Sequence, residues 1–77
     1  MMLTRAVTPM PAFVKAALAE RNLTAAYEAR PPFQRNDYLS WIVRARKDET
    51  RRKRLAQMLD ELEDGDVYMK MRWSPSA

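Results

Sequence analysis

Five carboxylates crowd into the stretch from Asp60 to Asp66: Asp60, Glu61, Glu63, Asp64 and Asp66. Carboxylate oxygens in such number can chelate a hard cation. These five, however, sit on and just after a helix, without the spaced loop that a calcium site needs, and a charge run of this kind is ordinarily a solvated face. Asp37, alone on another helix, is expected to be an ion-pair partner rather than a catalytic base. The chain has no Cys and no His. The usual general base and the soft nucleophile are therefore missing, and neither a disulfide nor a Cys/His zinc site can form. A single Gly excludes phosphate-cradling loops of the G-x-G-x-x-G or Walker type. No residue is assigned a catalytic, cofactor-binding or metal-binding role, and the chain reads as a non-enzyme.

The opposite charge is gathered upstream. Between residues 44 and 54, Arg44, Arg46, Lys47, Arg51, Arg52, Lys53 and Arg54 face only Asp48 and Glu49. Asp48–Arg52 and Glu49–Lys53 are i, i+4 pairs in the favourable orientation, each worth about 0.2–0.5 kcal/mol. Arg51 continues the apolar stripe of its helix, and a guanidinium at a core edge needs a carboxylate or an aromatic face. It is therefore read as structural, paired with Asp37 or covering Trp41 or Tyr38. Arg44, Arg46, Lys47 and Arg54 are the candidate partner-binding surface, either simply solvated or a site for an acidic partner. Bases at the start of a helix and acids at its end oppose the helix dipole, and broken local rules often mark functional sites.

The elements that carry these residues are helical. Residues 1–10 read as an arm with Thr8 as helix cap, followed by a helix over about 11–21 with Phe13, Val14, Ala17 and Leu18 on one side. Asn22 can stop that helix in a left-handed conformation with Leu23 folding back. Thr24 is expected to cap a short helix over about 25–30, ended by Pro31 and Pro32. Pro32 opens a third helix, about 32–46, with Gln34, Tyr38, Trp41, Ile42 and Ala45 on one arc and Leu39 and Val43 at its edge. The aromatics Tyr27, Phe33, Tyr38 and Trp41 are expected in the core. Asp48 is placed as N-cap of a fourth helix, about 49–63, striped by Leu55, Met58, Leu59 and Leu62 and stopped by Gly65. Beyond it, Val67, Met69, Met71 and Trp73 alternate with Tyr68, Lys70 and Arg72, the period of an extended tail that packs on the bundle or on a second chain. The fold class is all-α: a compact bundle of three to four short helices over 11–66, with an extended C-terminal tail over 67–77.

At 77 residues and a net charge of +4, the chain holds one small domain of ordinary globular composition. A core of this size supplies roughly 3–5 kcal/mol. No apolar run is long enough for a membrane span, and the start lacks the apolar segment of a signal peptide. The absence of Cys fits a reducing cytoplasm. With a basic middle and an acidic patch after it, the profile is not that of a dedicated nucleic-acid binder.

One stretch resembles a known family. The run Arg30-Pro31-Pro32-Phe33-Gln34-Arg35-Asn36-Asp37-Tyr38-Leu39-Ser40-Trp41-Ile42, then Ala45-Arg46, then Glu49-Thr50-Arg51 with Arg54 and Leu55, is similar to the YdeI / OmpD-associated, or bacteriocin-protection, family of bacterial proteins. The likeness covers roughly 23–64. Its pattern is a proline-opened helix with a Tyr and a Trp-Ile pair, an Ala-basic step, and a Thr-Arg early in the next helix with a further Arg. Tyr38, Trp41, Thr50, Arg51 and Arg54 fall on that pattern. The resemblance implies a helical domain linked to resistance against bacteriocins or cationic antimicrobial peptides and to an outer-membrane porin, without an established enzyme activity. The family step is usually Ala-Lys where this chain has Ala45-Arg46. Many members are longer, with a separate N-terminal domain whose function is not carried over.

The expectation is thus a cytoplasmic accessory of stress or peptide resistance. It binds an acidic partner, a protein for preference, through the Arg44, Arg46, Lys47 and Arg54 face. The alternatives are a weak, salt-sensitive nucleic-acid binder using the same cluster, and a small homo-oligomer joined through the tail.

Overall fold

The computed structural model describes residues 7–73; the first six residues of the expected arm and the last four of the expected tail lie outside them. Four helices follow in chain order: α1 (Ala12–Glu20), α2 (Thr24–Glu28), α3 (Pro32–Arg44) and α4 (Asp48–Asp64). A short hairpin, β1 (Val67–Tyr68) and β2 (Met71–Arg72), completes the described chain. No described helix is long and apolar enough to cross a membrane.

Prolines start two of the helices. Pro11 and Pro31 hold extended backbone, and their carbonyls accept the first helical bonds, from Val14 and Lys15 and from Gln34 and Arg35. Proline serves here because an N-terminal amide has no helical partner to lose. The expected cap by Thr8 does not form: α1 begins after Pro11, out of its reach, and the Thr8 amide donates instead to Asn36 Oδ1 at 2.7 Å. Neither Thr24 nor Asp48 acts as a cap. Each lies inside the first turn of its helix, behind Leu23 and Lys47 respectively. The helix ends follow the sequence more closely. Asn22 is left-handed (φ 58°) and the Leu23 amide reaches back to the Leu18 carbonyl at 2.8 Å, a Schellman-type closure. Gly65 ends α4 with φ 86°. α3 stops at Arg44, short of the expected 46, because Ala45 turns extended (φ −66°, ψ 127°).

The core joins Val14 and Leu18 of α1, Leu23, Tyr27 of α2, Tyr38, Leu39 and Ile42 of α3, and Met58, Leu59 and Leu62 of α4. α4 is the spine, with α3, α2 and β1 packed against it. Trp41 and Leu55 border this core, while Phe33 is half exposed at 50% and packs edge-on to Tyr68 rather than entering it.

Where period-two alternation predicts an extended tail, the chain reverses. β1 and β2 pair antiparallel, Val67 opposite Arg72 and Tyr68 opposite Met71. The two turn residues, Met69 (φ 51°) and Lys70 (φ 64°), are both left-handed. That is the geometry of a type I′ turn, in which Asn-Gly is the preferred pair. For residues with a Cβ it is strained by roughly 1–2 kcal/mol each. The compensation comes from α4 and is described next.

Candidate functional site

The corner between α3 and α4 is built by two arginines reaching backwards. Arg54 donates to the Trp41 carbonyl at 2.6 Å, and Arg51 donates to the Ala45 carbonyl at 2.9 Å. The last carbonyls of a helix have no partner within it, and they sit at the negative end of the dipole, so a guanidinium there satisfies both needs. Arg54 also lies 5.3 Å from the centroid of the Trp41 ring, within cation–π range. Arg51 lies 3.6 Å from Asp48. The expected partners of Arg51 are thus corrected. It is Arg54 that covers Trp41, and Asp37 accepts from the Tyr68 hydroxyl at 2.8 Å.

With Asp48 turned to Arg51, the expected Asp48–Arg52 pair is not made, whereas Lys53 meets Glu49 at 3.8 Å. Arg44, Arg46, Lys47 and Arg52 stand exposed, and among the described residues none of their side chains has a hydrogen-bond or ion-pair partner. Arg54 does not stand with them: it is half-buried and engaged. The free cations of the corner are therefore Arg44, Arg46 and Lys47, with Arg52 beside them in place of Arg54.

At the far end of α4 the acids separate into two groups. Asp60 and Glu63 hold Arg21 at 3.4 and 3.1 Å. Among the described residues, no group of acids is placed to hold a metal ion. Glu61 is different. It is buried and accepts from the Tyr38 hydroxyl, from the Met69 and Lys70 amides at 2.7 and 2.9 Å, and from Gln57 Nε2 at 3.0 Å. One carboxylate thus ties α3 to α4 and satisfies both strained turn amides, which form the kind of anion-binding nest that successive N–H groups make. Burial raises the Tyr38 hydroxyl pKa above its ordinary value, and the bond to Glu61 adds to the shift. Arg30, also buried, runs alongside. It donates to Gln34 Oε1 at 3.1 Å and to the Glu61 carbonyl at 2.9 Å, with the Trp73 ring 4.6 Å away.

Sequence reasoning missed Glu61 and Arg30. Glu61 was legible in part: it lies seven residues after Arg54 and one turn after Gln57, on the flank of the Met58–Leu62 stripe, so it faces the same neighbour as Arg54. Its membership of an acidic run hid that. Arg30 opens the run that carries the family resemblance, but nothing in its spacing pointed to burial.

A family model described as bacteriocin-protection, YdeI or OmpD-associated matches residues 8–65. The chain belongs to this family. No curated protein and no solved structure matches it. The bacteriocin-protection match begins ahead of α1, well before the stretch that carries the resemblance in sequence, and it stops short of the hairpin. Membership associates the chain with bacteriocin protection at the level of the family.

The structure gives the two family motifs a shared physical role. Trp41, from Tyr38-x-x-Trp41-Ile42, and Arg51 and Arg54, from Glu49-Thr50-Arg51-x-x-Arg54, meet at the α3 C-terminus. Arg54→Ala is expected to lower stability by about 1.5–3 kcal/mol, the loss of a charged hydrogen bond and of ring contact. Arg51→Ala follows at about 1 kcal/mol, and Arg52→Ala stays within about 0.5 kcal/mol. Urea midpoints of the three variants check the order. Equal, small shifts would remove the joint as the role of these motifs.

Proposed function

We propose that this chain is a non-enzymatic interaction module, acting in the cytoplasm as an accessory of resistance to bacteriocins or cationic antimicrobial peptides. It binds an acidic macromolecular partner, a protein, through the α3–α4 corner. Arg44, Arg46 and Lys47 make the contact, Arg52 extends it, and Arg54 holds the corner in shape from beneath. The observation that carries this reading is the contrast in partners. Arg51, Lys53 and Arg54 on the same joint are engaged internally, whereas among the described residues Arg44, Arg46 and Lys47 project without a carboxylate. Three exposed cations on one corner, without an acidic partner among the described residues, attract an anionic surface and speed encounter with it.

The hairpin makes contacts of its own within the chain. Met69 packs on the core, Tyr68 bonds to Asp37 and Trp73 stacks on Arg30, all within one chain.

The test is fluorescence anisotropy of a labelled oligo-glutamate peptide and of a short DNA duplex, each titrated at low and at near-physiological salt. The peptide is expected to bind at low salt and to weaken as salt rises. The triple variant R44A/R46A/K47A, with unchanged far-UV circular dichroism, is expected to lose at least about tenfold in affinity, or about 1.4 kcal/mol. No peptide binding at low salt would overturn the reading. Tight duplex binding lost in the same variant would replace the protein partner with nucleic acid.

A further inference from the structure

The basic corner has an apolar floor. Phe13 of α1 is 41% exposed, turned away from the core that Val14 and Leu18 enter. With Asp48, Arg51 and Arg52 it lines an open cleft of about 330 Å³. Asp48 on that wall lies 3.6 Å from Arg51, while Arg52 is exposed and unpaired among the described residues. Lys47 and Arg46 immediately precede Asp48 in the chain. An aromatic face rimmed by arginines is the composition of an interface anchor point rather than of a purely electrostatic surface.

We propose that this cleft seats a bulky apolar side chain of the acidic partner, so that the partner presents a short acidic segment carrying an exposed Leu, Phe or Trp. The proposal rests on the corner being the acid-binding face and adds what selects among acidic ligands. Charge complementarity fixes the sign of the segment, and the length of α4 limits its extent. Asp60, Glu63, Asp64 and Asp66 begin about 20 Å along a helix that rises about 1.5 Å per residue. They lie beyond the physiological Debye length of about 8 Å. A short segment held at the corner escapes their repulsion. An extended polyanion, such as a duplex with one charge per roughly 1.7 Å, meets it when laid along α4. A peptide with an apolar anchor satisfies both the cations and Phe13.

The experiment compares two labelled peptides of equal length and charge, one of Glu, Gly and Ser, the other with a central Gly replaced by Leu. Each is titrated against the wild-type chain, Phe13→Ser and R44A/R46A/K47A, with circular dichroism confirming that each variant is folded. The Leu peptide is expected to bind the wild type about tenfold more tightly, the effect of burying part of one aliphatic side chain. Phe13→Ser is expected to erase that difference while leaving the plain acidic peptide unchanged, and the triple variant to weaken both. Equal binding of the two peptides to the wild type overturns the apolar seat while the acid-binding corner stands. A Leu preference that survives Phe13→Ser also overturns it, because the seat would then lie elsewhere. Binding of neither peptide removes the corner itself, and the seat with it.

Discussion

Glu61→Ala is expected to destabilise the domain by about 3–5 kcal/mol, the loss seen when one member of a buried polar network is removed and its partners stay buried. The Tyr38 hydroxyl and the Met69 and Lys70 amides would all lose their acceptor. The two turn residues would keep their left-handed strain with nothing to offset it. A core of this size supplies roughly 3–5 kcal/mol in total, so much of the variant is expected to be unfolded at physiological temperature. Glu61→Gln keeps the volume and one acceptor oxygen but points an NH2 group toward donors, and its loss should fall between those of wild type and alanine. Thermal melts followed by far-UV circular dichroism read this directly. At about 4–8 °C per kcal/mol for a domain of this length, a shift under about 5 °C for the alanine variant would show that the carboxylate is not the link between hairpin and bundle.

Tyr38→Phe is the second large effect, expected at about 1.5–3 kcal/mol because a hydrogen bond to a charged acceptor is lost. It also carries a pH signature. Burial, together with the bond to Glu61, raises the folded-state pKa of Tyr38 above its ordinary value of 10.0. The folded chain therefore holds that proton when the unfolded chain releases it. Stability is full below pH 10 and declines as pH rises above it. Tyr27, also raised by burial, adds in the same direction. In Tyr38→Phe the alkaline decline should be visibly shallower, since only Tyr27 and the surface groups remain. Urea midpoints from neutral to strongly alkaline pH test this; parallel curves for the two proteins would mean that Tyr38 does not couple to folding.

These two variants bracket what was visible before the structure. The helices were legible because their signals are local. Pro31-Pro32 breaks α2 and opens α3, Asn22 and Gly65 supply left-handed stops, and the Leu55–Leu62 stripe repeats at helical spacing. The caps were less legible. Thr8, Thr24 and Asp48 are good cap types, but Pro11, Leu23 and Lys47 occupy the cap positions, since proline geometry and chain reversal set where each helix begins.

The corner divides in the same way. That residues 44–54 concentrate positive charge is a count made along the chain. Which of those cations is spent follows from three-dimensional placement: α4 folds back so that Arg51 and Arg54 reach the carbonyls ending α3, drawing Arg54 inward and leaving Arg52 without Asp48. Phe13 joins that face because folding sets it on one cleft with Asp48, Arg51 and Arg52, about three dozen residues away in the chain.

Composition, charge order, the helical class and the two motif halves were thus settled by the one-dimensional chain, because turn chemistry and periodicity act over a few residues. The inward turn of Glu61, the burial of Arg30 and the reversal at Met69-Lys70 were settled by packing. A carboxylate in an acidic run and a strained Met-Lys turn are each unfavourable alone, and each becomes stable only when folding places the turn's two amides against that carboxylate.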